Sequence, residues 1–136
     1  MGQQQLLLLV MTVVLVGIAV VATWPLIDRA VQQDDSDGLV DRGLAIATYA
    51  TQWKATMDPF NGGNASYAAL AVEGIERLSM DPENSRGRFA ITAASDESIE
   101  ITGVSVRYPK NGVRVWVNGT SVDSSKVVYD GSITLP

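Results

Sequence analysis

The side chains that could do chemistry in this 136-residue chain are carboxylates, amides and hydroxyls, because it holds no histidine and no cysteine. The commonest general base and metal ligand are therefore missing. No disulfide or thiolate site can form, so an oxidising compartment is neither required nor excluded. The densest acidic stretch is Gln32-Gln33-Asp34-Asp35-Ser36-Asp37-Gly38. Read as a calcium loop with Gly38 at its sharp turn, it needs an acid where Gln33 stands and a bidentate glutamate where Leu44 stands. Asp96-Glu97 falls between two alternating apolar runs and reads as a solvated turn. Without a nucleophile elbow or a phosphate loop, the sequence points away from an enzyme, and neither metal nor cofactor is expected.

Two amides have a further chemistry open to them. Asn64-Ala65-Ser66 and Asn118-Gly119-Thr120 both fit the N-glycosylation acceptor pattern, whose physical content is an exposed loop that a transferase can reach. The pattern is short, and for each site an unmodified turn residue is the simpler reading unless the source glycosylates its surface proteins. Trp24, Tyr49 and Trp53 could be drawn as an aromatic path, but packing is the far commoner use of such residues.

The element that must position everything else is Leu6 to Ile27, which contains no charged side chain. At ~1.5 Å per residue about 20 apolar residues cross a ~30 Å hydrocarbon core. Fourteen of these residues are Leu, Ile or Val, each favouring insertion by roughly 0.3–0.6 kcal/mol at a helix centre. The start, Met1 to Gln5, is uncharged, and the segment is too long for a secretory signal's apolar region. Pro25 lies inside the run and should kink the helix near Val21 to Trp24. Trp24 suits either a membrane interface or a neighbouring subunit. All ten Lys/Arg and all fifteen Asp/Glu follow residue 27, so the net charge of −5 belongs to the remainder of the chain. That acidic balance argues against nucleic acid as the main ligand. We expect two parts: a hydrophobic N-terminal helix over 1–34 and a globular α+β head over 35–136.

In the head, the polar cluster at 32–38 predicts a local break in the helix, with Asp37 capping a new start. Leu39, Gly43, Ile46, Ala50, Trp53 and Met57 then recur at steps of four and three, the stripe of an amphipathic helix. Asp58-Pro59 should end it. Phe60 to Asn64 reads as a turn whose glycines need positive φ. Tyr67, Leu70, Ala71, Gly74, Ile75 and Leu78 suggest a second, shorter helix. The period then falls to two: Phe89, Ile91 and Ala93; Ile99 and Ile101; a bulge at Gly103 followed by Val104 and Val106; a hairpin turn at Pro109-Lys110-Asn111-Gly112; Val113, Val115 and Val117; and a last strand within 126–135. Such strands make an antiparallel sheet whose apolar face covers the Leu39–Met57 stripe.

The layout resembles the type IV pilin superfamily, with the likeness concentrated in Gln3-Gln4-Gln5-Leu6-Leu7-Leu8-Leu9, Gly17 and Pro25 and the architecture matching over the whole chain. Bacterial members carry a basic leader cut after a glycine and a glutamate at the fifth mature position; this chain departs on both counts. If cleavage follows Gly2, the mature chain starts at Gln3. If Met1 is the mature first residue, Gln5 falls where the family has its glutamate, and a neutral amide lowers the cost of burial while giving up an ion pair. The resemblance implies a structural subunit that polymerises into an extracellular, cell-surface filament, with Gln5, Leu6, Leu9, Val13, Val16, Gly17, Val20 and Pro25 in the assembly helix. Its expected partners are identical subunits, the inner or cytoplasmic membrane before assembly, and the pilus assembly machinery. The alternatives are a minor pilin or pseudopilin of a secretion or uptake system, and a single-pass membrane-anchored β-rich binding module.

Overall fold

A computed structural model describes residues 2–58, 60 and 62–135. The expectations attached to Met1 as a mature terminus, to Pro59 as a helix stop and to Asn61 within the turn lie outside the described residues. The fold is α+β. A long helix, α1 (Gly2–Ala55), is followed by one helical turn, α2 (Leu70–Glu73), a 3₁₀ turn (Ile75–Leu78) and four strands: β1 (Gly87–Ala94), β2 (Ser98–Ser105), β3 (Gly112–Asn118) and β4 (Ser121–Val128). The chain divides into two compact units, Met1–Gln33 and Asp34–Pro136.

α1 is unbroken. It runs through Pro25, and it also runs through 32–38, where the polar cluster suggested an interruption. The correction has a tertiary cause. Arg86 donates to the Asp34 carbonyl at 3.2 Å, and its guanidinium lies 3.8 Å from the Asp34 carboxylate. The same guanidinium occupies the space where a Cβ on Gly38 would sit, 2.3 Å away. The head thus braces the turn that propensity alone would have released, and Asp37 caps nothing.

In the second unit α1 packs on an antiparallel sheet of order β1-β2-β3-β4. Leu39, Ile46, Ala50 and Trp53 are buried with Tyr67, Leu70, Ile75, Leu78, Phe89, Ile99, Ile101, Val113, Val115 and Val117 in one core. Gly43 brings the helix close to β3: a Cβ there would meet Val115 Cγ2 at 3.1 Å. The stripe ends at Trp53. Met57, expected to continue it, lies past the last helical turn and is 72 % exposed, since the spacing of four and three has meaning only while the chain stays helical.

Several local expectations shift. The helix foreseen over 67–78 splits at Gly74, whose φ of 71° lies outside right-handed helical angles, and Ala71, expected on the apolar stripe, is exposed. In the 60–64 turn the left-handed backbone falls on Asn64 (φ 50°) and Ala65 (φ 66°). At Gly63 the need is for room, since a Cβ would lie 2.5 Å from the Ser66 carbonyl oxygen. Gly103 is no bulge: it pairs regularly with Phe89 and Val113, and the Phe89 ring fills the space of its absent side chain. The bulges lie instead between Ile91 and Ala93 and between Trp116 and Val117. The first one turns Ala93 outward and Ala94 toward the core. The turn at 109–112 does join two strands, β2 and β3. The final strand comes earlier than expected, pairing from Ser121 directly after a two-residue turn. Its polar Ser121–Lys126 portion hides it from a hydrophobic pattern, because an edge strand needs ladder bonds more than a buried face.

Candidate functional site

The feature that sets this molecule apart is the first part of α1. From Leu6 to Ile27 every residue is exposed: Leu6 is 66 %, Val21 74 % and Trp24 72 % accessible. α1 is long and apolar enough in this part to cross a membrane. Its two hydroxyls are internally satisfied, since that of Thr12 donates to the Leu8 carbonyl at 2.8 Å and that of Thr23 to the Ala19 carbonyl at 2.6 Å. Internal pairing of this kind is what an apolar solvent demands. One group is released: Pro25 has no N–H, so the Val21 carbonyl lacks its partner four residues on.

Of the expected assembly residues, Leu6, Leu9, Val13, Val16 and Val20 follow steps of three and four and so share one stripe of α1. Gln5 opens the run, Gly17 has nothing within 4 Å of where its Cβ would be, and Pro25 is exposed. On an adjoining face Val16, Ala19, Val20, Thr23, Trp24 and Ile27 outline a shallow apolar hollow. Beyond it the charges begin: five acids (Asp28, Asp34, Asp35, Asp37, Asp41) against two bases (Arg29, Arg42) on the following turns. What this segment can do is bury itself in something other than its own chain.

The head carries two polar assemblies that the sequence reading missed. One is centred on Lys54, 7 % exposed in the last turn of α1. Its Nζ donates to the Gly119 carbonyl at 3.4 Å, lies 3.5 Å from Glu97 and stands 4.8 Å over the Tyr67 ring. Tyr67 donates its hydroxyl to the same carbonyl at 2.7 Å, and Gly119 donates its N–H to the Glu97 carbonyl at 2.7 Å. The β1–β2 and β3–β4 turns are thereby tied to the end of the helix. Burial, with Glu97 adding to it, pushes the Tyr67 phenol above its ordinary value.

The other lies on the outer face of the sheet. Glu100 accepts from the Trp116 indole at 2.9 Å and from Thr92 at 2.7 Å, and stands 3.3 Å from the Arg114 Nε. Beside this network is a depression lined by Ser98, Glu100, Trp116, Asn118 and Asp123 among others. A tryptophan on the polar side of an alternating strand was the available signal. Tyr49 is half-exposed, Trp24 exposed and Trp53 buried, a mixture that favours separate packing roles. Among the described residues no group of three or more Asp or Glu is arranged to hold a metal ion. Compared with family models, with curated proteins and with solved structures, the chain matches none.

Proposed function

We propose that the chain is a structural subunit of an extracellular filament of the type IV pilus kind, held in a membrane by Leu6–Ile27 before assembly and bundled with identical helices afterwards. The observation that carries this reading is the first part of α1, exposed on every side and long and apolar enough to cross a membrane. Lipid tails are as apolar as Leu, so van der Waals packing of helix on helix, not removal from water, offsets the cost of leaving lipid. Head-to-tail contacts between identical subunits generate an open filament when the rotation does not close. In this reading the chain catalyses nothing, and its partners are its own copies, a cytoplasmic or inner membrane and an export machinery.

The test is to shear surface fibres from the source cells and identify their main component, then repeat with Val14→Asp. This protein should dominate the fibre mass, and the substitution should abolish fibres while leaving the head folded. Fibres that lack the protein, or an undiminished yield from Val14→Asp, would reject the reading. Detergent-extractable monomers with no fibres would point to the single-pass anchored module.

A further inference from the structure

The depression on the outer sheet face contains one of the two acceptor asparagines, and the two acceptors are built differently. Trp116 and Asn118 are two residues apart on β3, so their side chains leave the same face, and both line the depression. The indole is fixed, its N–H held by Glu100 at 2.9 Å. Asn118 ends the strand, exposed, and pairs with Ser121 across a turn made of Gly119 and Thr120. Gly119 has a φ of 67°, as the first central position of a type II′ hairpin turn requires. Beneath the turn Lys54 and Tyr67 hold the Gly119 carbonyl, so the acceptor stands on a rigid tip. The Thr120 hydroxyl, which completes the acceptor pattern, is exposed and makes no hydrogen bond among the described residues. At the other acceptor the Ser66 hydroxyl is engaged, donating to Asp96 at 2.8 Å and accepting from the Ala68 N–H at 3.1 Å. There the Asn64 amide donates toward the Asp58 carbonyl at 3.5 Å.

We propose that Asn118 carries an N-linked glycan whose first sugar rests on the Trp116 indole, and that Asn64 carries none. It rests on the reading that the head faces outward, where glycan transfer to folded surface proteins is completed. The donor is a glycan on a polyprenyl phosphate or diphosphate. Asn118 Nδ2 forms a bond to the sugar's C1 as the C1–O bond breaks, the lipid phosphate leaves with the electron pair, and one amide proton passes to a base of the transferase. The C–H face of a pyranose then lies on the indole, an apolar body with polar edges, as aromatic rings favour. The Ser98 and Asp123 side chains at the rim accept from its hydroxyls.

Trypsin would release Val115–Lys126 with Asn118 and 55–77 with Asn64. Mass spectrometry of protein taken from its own source should find the first peptide largely carrying sugar and the second unmodified. A first peptide found only unmodified, or sugar on Asn64 alone, overturns the proposal. The Trp116 contact is tested by thermal midpoints of glycosylated protein against Thr120→Ala, which removes the acceptor and leaves both Asn118 and the ring. The glycan should raise the midpoint by a few degrees with Trp116 present and by nothing in a Trp116→Leu background; equal shifts in both refute the stacking. Fibre recovery is scored separately. Glycosylated protein without fibres keeps this site and removes the filament reading, while abundant fibres of unmodified protein do the reverse.

Discussion

Leu9 and Ile46 belong to one helix, yet Leu9 is 66 % exposed and Ile46 has no accessible surface. The backbone is helical at both, and leucine and isoleucine are both apolar. What separates them is where the partner resides. Ile46 finds Val115, Ile101 and Phe89 in its own core, so its burial is part of folding. Leu9 is not covered by any of the described residues, so what would bury it in the proposed reading is lipid or another copy. Burial in the second part of α1 is intramolecular, while the first part is left exposed.

The widest separation is expected from cavity substitutions. Ile46→Ala should lower the head's stability in urea by about 2–5 kcal/mol, whereas Leu9→Ala should change it by less than ~0.5 kcal/mol, as for a surface site. Both are measured in detergent, and equal losses would mean that the first part of α1 takes part in folding after all. Next comes Val14→Asp, which should cost membrane insertion about 3 kcal/mol, read as the fraction extracted by alkaline carbonate, while the urea midpoint of the head stays put.

Inside the head the contrast becomes finer. Lys54→Met keeps the stem and removes the bond to Gly119 and the Glu97 contact, and should destabilise by about 1–3 kcal/mol. Glu97→Gln, on the exposed side of that pair, should cost under ~1 kcal/mol. The smallest effect is a pH dependence. The Tyr67 phenol titrates higher when folded than when unfolded, so its contribution is complete below about pH 10, the unfolded value, and is lost as pH rises through the folded one. Midpoints followed from pH 8 to 11 should fall more steeply for the native chain than for Tyr67→Phe.

Much of this was legible in the residues. The uncharged run from Leu6 to Ile27, the stripe from Leu39 to Trp53 and the alternation of Val113, Val115 and Val117 follow from period and charge. These patterns register one property, which face is apolar, and they hold wherever that face meets a continuous core. They failed where a distant group decided. The continuity of α1 through 32–38 depends on Arg86, far along the chain, and Gly103 is set by the Phe89 ring across the sheet. A bulge at Thr92 reverses Ala93 and Ala94 without altering the composition of the strand, and β4 is an edge strand whose bonds leave no hydrophobic trace.

The same division holds for the two candidate sites. The apolar segment was determined by the sequence itself, because a long run without charge needs no partner residue to be recognised. The setting of Asn118 was decided by tertiary structure alone. The acceptor pattern is identical in kind at Asn64 and Asn118, and only the packing shows that one hydroxyl is occupied by Asp96 while the other stands free beside a tryptophan held by Glu100. Local sequence fixes which groups are present, and hydrogen bonds between residues far apart in the chain fix which of them remain available.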